Sequence, residues 1–127
     1  MGNKPSSLRA KSRIWIELRD EVVFGLGRIR LLEAVEQTGS ISKAATLLGM
    51  SYRAAWGKIS ATEERLRLPL VERQQGLRNT KLTPVGRDLL VKYKQFQKKA
   101  EQSVDDIFEE QLGGLLSHLK DTNFDEK

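Results

Sequence analysis

Few side chains in this sequence could carry out covalent or metal chemistry. The 127 residues include no cysteine and a single histidine, His118, which excludes disulfides, thiolate zinc sites and a cysteine nucleophile. Ser40, Ser42 and Ser51 stand where helices are expected to begin, and no nucleophile–base pair or carboxylate pair occurs at a recognisable spacing. We therefore predict that the protein is not an enzyme and binds no metal or other cofactor.

The distribution of charge indicates a polyanionic partner. The net charge is +5, and residues 53–99 contain 12 Lys and Arg against 4 Asp and Glu. Residues 100–127 reverse this balance, with 2 basic residues against 8 acidic ones. A basic block of this kind favours a nucleic acid as the partner, although scattered lysines on a solvated surface would also produce it.

No stretch of the sequence predicts a membrane association. No apolar run approaches the roughly 18 residues that a membrane-spanning helix needs. Residues 1–13 lack the hydrophobic core of a secretory signal. We expect a cytoplasmic protein.

The first third of the chain predicts a hairpin followed by three short helices. Residues 1–12 are polar and basic and are expected to be a disordered arm. Ile14, Ile16 and Leu18 alternate with Arg13, Trp15 and Glu17, as in a half-buried strand, and 22–24 are typical of a second strand. Helix-start serines and helix-stop glycines then bound three helices: one ending at Gly39, one from Ser40 to Gly49, and one from Ser51 towards Leu66. Pro69 is expected to stop the third helix.

The remaining sequence predicts a second hairpin and a long amphipathic helix. Residues 70–73 and 80–82 are expected to be strands around the polar tip at 74–79. Thr83 and Pro84 form a strong helix start, and nothing breaks the helix until Gly113 and Gly114. Its apolar stripe has the spacing of a coiled-coil seam and consists of Val85, Leu89, Tyr93, Phe96, Ala100, Val104 and Ile107. We predict a dimerisation helix at 84–112 and an acidic tail at 113–127.

The helix–glycine–helix between Ser40 and Leu66 is the central motif. Ala55, Ile59, Thr62 and Leu66 share one face of the third helix and are expected to pack inward. The opposite side then carries Tyr52, Arg53, Trp56, Gly57 and Ser60, in the part of such a helix that enters the major groove of DNA. A following hairpin converts the motif into a winged helix-turn-helix. The expected fold class is therefore mainly α with small β-hairpins, with the winged domain at 13–83 and a long C-terminal dimerisation helix.

Five segments of the chain form an ordered set of motifs: residues 27–34 (GRIRLLEA), 38–42 (TGSIS), 49–56 (GMSYRAAW), 70–73 (LVER) and 82–86 (LTPVG). In this order they resemble the N-terminal DNA-binding domain of the molybdate-responsive (ModE-type) regulators, which is related to the LysR-type winged helix. The resemblance implies a dimeric transcriptional regulator of the bacterial or archaeal nucleoid, whose recognition helix at 51–66 reads the major groove. The wing departs from the family because it has one glycine. The molybdate-binding domains are expected to be absent, so molybdate is not expected as a cofactor.

The predicted DNA-binding residues come from the recognition helix, its flanks and the wing. They are Ser40, Ser42, Ser51, Tyr52, Arg53, Trp56, Arg73, Arg78 and Lys81. Trp56 lies one position off the core stripe, so inward packing is favoured over DNA contact. For Tyr52 the sequence favours neither a DNA contact nor a purely structural position. The predicted partners are duplex DNA and a second copy of the chain in a homodimer. The alternative is a protein-interaction adaptor that docks on a second regulator or sensor protein.

Overall fold

The computed structural model describes residues 8–74 and 79–116. Its elements, in chain order, are β1 (Ile16–Leu18), β2 (Glu21–Phe24), α1 (Leu26–Thr38), α2 (Ile41–Leu47), α3 (Tyr52–Leu66), β3 (Val71–Gln74), β4 (Asn79–Leu82), α4 (Pro84–Phe108), a π-helical segment (Glu109–Gly113) and α5 (Gly114–Leu116). The chain divides into two compact units, Ile14–Gln95 and a second unit of Met1–Arg13 with Phe96–Lys127. The first unit therefore includes three turns of α4 that the sequence placed outside the winged domain. Most of the predicted arm lies outside the described residues.

The N-terminal hairpin is present but buries only one of its strands. β1 and β2 are antiparallel, with Glu17 opposite Val22 and Leu18 opposite Glu21. Val23 and Phe24 of β2 belong to the core, whereas Ile16 and Leu18 are 38% and 39% exposed. The prediction of a half-buried first strand is therefore wrong: all three residues of β1 are exposed, and the core lies against β2.

Helices α1 to α3 form the core, and local capping sets their boundaries. Ser40 Oγ accepts a hydrogen bond from Lys43 N, and Ser51 Oγ accepts one from Ala54 N, each at 3.0 Å. Gly39 and Gly49 adopt left-handed backbone conformations with φ of 73° and 71°, which glycine reaches without steric cost. These local signals confirm the predicted starts of α2 and α3 and both glycine turns. α3 ends at Leu66 with Arg67 in the left-handed conformation, so it stops before Pro69.

The wing is an antiparallel pair attached to the helical core at both ends. In its ladder Glu72 lies opposite Lys81, and Arg73 lies opposite Thr80. At the start of β3, Glu63 Oε2 accepts hydrogen bonds from Leu70 N at 2.7 Å and Val71 N at 3.1 Å. At the start of β4, Thr80 N donates to Gly39 O at 2.9 Å. The start of β3 is therefore fixed to the last turn of α3, and the start of β4, at the other end of the ladder, is fixed to the turn between α1 and α2.

The first turns of α4 pack on α1 and on the hairpin. Arg87 forms an ion pair with Glu36 at 3.1 Å, and Lys94 pairs with Glu33. Tyr93 is 5% exposed, its ring lies 5.9 Å from that of Phe24, and its hydroxyl donates to Ile14 O at 3.0 Å. Tyr93 is therefore a core residue of its own protomer, which corrects its assignment to the dimer seam. The spacing of apolar residues could not distinguish a core position from a seam position, because the same face of α4 packs on the core in its first turns and continues along the rest of the helix.

The helical backbone continues past the glycine pair that was expected to end it. After α4, residues Glu109–Gly113 form a π-helical segment and Gly114–Leu116 one further helical turn. Gly114 has φ −66° and ψ −37°, an ordinary right-handed helical conformation. Glycine lowers helix propensity without forbidding a helix, so the predicted boundary of the acidic tail at 113 is wrong. Residues 117–127, which include His118, lie outside the described residues.

No helix among residues 8–74 and 79–116 is long and apolar enough to cross a membrane. The same stretches contain no group of three or more His, Asp or Glu residues that could hold a metal ion.

Candidate nucleic-acid interface

The N-terminal half of α3 presents an exposed face that its capping and core contacts fix in place. Ser51 caps the helix, and Ala55 and Ile59 anchor it, with 0% and 3% of their surfaces exposed. Arg53 and Gly57 are exposed on the other side. This is the arrangement that the sequence predicted for a groove-reading helix.

Trp56 belongs to the exposed surface of α3. Its side chain is 41% exposed, so the favoured expectation that it packs inward is wrong. The core-facing position directly before it is taken by Ala55, and consecutive residues are turned by about 100° around the helix axis. The indole is therefore available to a partner of this surface.

A side-chain contact joins α3 to the wing. Arg73 of β3 donates from Nη2 to the hydroxyl of Tyr52, at a long distance of 3.5 Å. Both side chains are exposed, so the contact adds little stability, but it places a cation beside the first turn of α3. The sequence had assigned both residues to DNA binding without predicting that they meet, because they are 21 positions apart.

The wing separates its two described cations onto opposite faces. Side chains alternate along a strand, so Arg73 and Lys81, which belong to neighbouring pairs of the ladder, lie on different sides of the ribbon. Lys81 is exposed and lies across from the carboxylate of Glu72. Arg73 is thus the wing cation next to α3. Arg78, the other predicted wing cation, lies outside the described residues.

The serines near α2 have different environments. Ser40 is half-buried and its Oγ accepts the capping hydrogen bond from Lys43. Ser42 is exposed on the first turn of α2, and its carbonyl oxygen accepts a hydrogen bond from Thr46 Oγ1 at 3.2 Å. The hydroxyl of Ser40 can still donate to a phosphate while it accepts the cap bond.

Arg28 and Arg65 of the same unit make internal contacts that stabilise the fold. Arg28 Nε donates to Thr62 Oγ1 at 2.8 Å, while Arg65 donates to Val22 O at 2.6 Å and pairs with Glu21 at 3.2 Å. Burial, followed by the charge of Arg65, lowers the pKa of Arg28 from its usual value. Sequence reasoning counted Arg65 in the basic block, since only long-range contacts reveal its internal partners.

Comparison with known proteins agrees with this geometry. Residues 26–87 match the family described as bacterial regulatory helix-turn-helix protein, lysR family. These residues run from the start of α1 into the first turn of α4 and include the wing.

Two curated relatives are ModE proteins. The molybdenum transport protein ModE of Azotobacter vinelandii is 39% identical over 85 residues, which are 65% of this chain and 32% of that protein. The transcriptional regulator ModE of Haemophilus influenzae is 33% identical over 91 residues, which are 69% of this chain and 36% of that protein. The chain thus spans about a third of the length of these relatives.

The fold also matches solved DNA-binding domains. The structure of the CbnR DNA-binding domain in complex with DNA superposes with a TM-score of 0.54 and 25% identity, covering 65% of this chain and 93% of that one. The winged helix-turn-helix predicted from the sequence and its resemblance to ModE-type and LysR-type domains are confirmed. Residues 26–87, about half of this chain, are thus similar in sequence to the helix-turn-helix domain of the lysR family.

Proposed function

We propose that this protein binds duplex DNA sequence-specifically, as a homodimer, and regulates transcription. The observation that carries the proposal is the exposed N-terminal face of α3, with Arg53 on it and Arg73 of the wing held beside it through Tyr52. The same fold is present in a CbnR domain solved with DNA. Such a protein acts in the cytoplasm, where it reaches the nucleoid.

The cations and the helix face have separate tasks in this proposal. Contacts from basic groups to phosphates release counterions and give an attraction that depends on salt but not on sequence. Arg73 beside α3 and the predicted wing residues Arg78 and Lys81 supply this part. Arg53 supplies discrimination, because arginine forms paired hydrogen bonds with the guanine edge in the major groove, worth about 1–3 kcal/mol against the wrong base. Tyr52 and Trp56 flank it with apolar surface for thymine methyl groups or sugars.

Dimerisation is the second part of the proposal. The stripe continues along α4 beyond Gln95 with Phe96, Ala100, Val104 and Ile107, of which Phe96 and Ile107 are 47% and 56% exposed. Apolar residues at this spacing are typical of helix–helix seams. A two-fold pair would place two copies of α3 in successive major grooves about 34 Å apart, which requires a palindromic operator. Val85 and Leu89 are half-buried, and Leu89 packs against the core of its own unit, so we assign the seam to the residues after Gln95.

We assign no molybdate response to these residues, because the similarity to the ModE proteins covers about a third of their length. A second regulator or sensor as partner likewise has no specific contact surface among residues 8–74 and 79–116 to support it.

A salt series of fluorescence anisotropy tests DNA binding. The probes are duplexes that the full chain enriches from a randomised pool and unselected duplexes of equal length. We expect Arg53→Ala to weaken binding to the enriched duplex about 5- to 150-fold while most of the salt slope remains. Lys98→Ala, at an exposed position of α4, is the control and should behave as wild type.

Two outcomes would contradict the proposal. Absence of binding by the wild type at low salt would leave the basic block as a solvated surface, and the adaptor alternative would take its place. An equal loss on enriched and unselected duplexes for Arg53→Ala would show that Arg53 contacts phosphate and reads no base.

A further inference from the structure

Gly57 occupies a position where the fold gains nothing from glycine. It lies inside α3 (Tyr52–Leu66) and is exposed. Glycine is the least favourable residue in a helix interior apart from proline, because it loses the most backbone freedom on folding. A glycine in a helix interior is therefore expected only where backbone conformation, internal packing or contact with another molecule favours it.

The reasons that explain other glycines of this chain do not apply to Gly57. Gly39 and Gly49 have positive φ values, and Gly57 does not. At Gly86 an added Cβ would lie 2.4 Å from Leu70 O, whereas at Gly57 an added Cβ would meet no atom within 4 Å. Neither backbone conformation nor internal packing requires glycine here, and the absence of a side chain leaves this exposed part of α3 open to the close approach of another molecule.

The position of Gly57 on the helix shows which surface of α3 such a molecule would approach. It is two residues from both Ala55 and Ile59, the buried anchors of α3, and two residues correspond to about 200° around the axis. Gly57 therefore lies opposite the core, one turn after Arg53. Side chains on a helix extend towards its N-terminus, so a side chain at 57 would cover the surface beside Arg53.

We infer that Gly57 is a specificity-determining residue, which lets the backbone of α3 lie close to the base edges so that Arg53 reaches them. This inference rests on the proposed function, because it takes the exposed face of α3 as the surface that enters the major groove. A side chain at 57 would hold the helix away from the bases and shorten the reach of Arg53. Binding to phosphates through the wing would be much less affected.

The test separates folding from binding because the two should change in opposite directions. We expect Gly57→Ala to raise the midpoint of thermal unfolding by about 4 °C, since alanine is the better helix former. The same variant should bind the enriched duplex about 10-fold more weakly, and Gly57→Gln about 100-fold more weakly, whereas unselected duplex should be bound within about 2-fold of wild type. Gly27→Ala is the matched control: Gly27 is an exposed helical glycine of α1 whose added Cβ also meets nothing within 4 Å.

The control should gain thermal stability and keep wild-type affinity for the enriched duplex. Wild-type affinity in both Gly57 variants would overturn the inference and leave the proposed function standing. Absence of DNA binding by the wild type would overturn both. A loss of affinity accompanied by a lower unfolding midpoint would also overturn it, because Gly57 would then be required by the fold.

Discussion

At the scale of single residues, the contacts of Tyr93 with residues far away in sequence fix its side chain in the core. Its ring packs against Phe24 and its hydroxyl donates to Ile14 O at 3.0 Å. Burial raises the pKa of this phenol above its usual value, because the charged phenolate is poorly solvated there. The protonated form is thus preferred more strongly in the folded protein than in the unfolded chain.

This preference predicts a decline of stability at alkaline pH. The contribution is fully present below the unfolded pKa of about 10 and is lost as pH rises through the raised folded pKa, with a slope of at most about 1.4 kcal/mol per pH unit. Tyr93→Phe should cost about 1 kcal/mol at pH 7 through the lost hydrogen bond, and it should remove this decline. Urea unfolding at pH 7 to 11 measures both effects. Tyr52→Phe, at an exposed site, should keep the decline, and a decline that persists in Tyr93→Phe would assign it to another group.

At the scale of elements, Gly86 sets the crossing of α4 over the segment that leads into β3. Thr83 Oγ1 donates to Pro69 O at 2.7 Å and accepts from Gly86 N at 3.0 Å. Thr83 N donates to Leu70 O at 2.9 Å, and an added Cβ on Gly86 would lie 2.4 Å from that same oxygen. The start of α4 can therefore lie on this segment only without a side chain at 86.

Gly86→Ala should destabilise the domain by about 2 kcal/mol, because the clash is with backbone and α4 must shift away. The free energy of unfolding from urea titration, with an unchanged slope, measures the loss. Gly27→Ala, which adds the same methyl group in open space, should have the opposite sign. Equal effects of both substitutions would show that α4 yields to the added methyl group at no cost.

At the scale of the whole molecule, the proposed function requires a second copy of the chain. The α3 face and most of the basic block belong to the first compact unit, whereas Lys98, Lys99 and the proposed seam from Phe96 onward belong to the second. In the proposed function, DNA reading and dimerisation are therefore carried by different parts of the chain, and a substitution should remove one without the other.

Ile107→Asp should produce monomers, because a carboxylate in an apolar seam is costly to desolvate. We expect the dissociation constant of the dimer, from sedimentation equilibrium, to rise by at least about 100-fold, or about 2.7 kcal/mol. Gln102→Asp adds the same charge at an exposed position about 140° around the helix and should leave the dimer intact. If Ile107→Asp sediments as a dimer, the seam lies elsewhere.

Residues close together in sequence determined most of the fold. The caps at Ser40 and Ser51 and the left-handed glycines at 39 and 49 follow from interactions within about four positions. The spacing of Ala55, Ile59 and Thr62 was likewise sufficient to predict that they share one face of α3. Together with the following hairpin, these local signals were sufficient to identify the winged helix-turn-helix and the exposed position of Arg53.

Tertiary structure alone decided how the faces of those elements are used. Tyr93 is a core residue and not part of the predicted seam, whereas Trp56 and the residues of β1 are exposed. Arg73 contacts Tyr52. Each outcome depends on contacts between residues more than 20 positions apart in sequence, or on which of two neighbouring side chains occupies the core. Periodicity gives the direction of a side chain relative to its own helix or strand, but burial depends on the elements that pack against it.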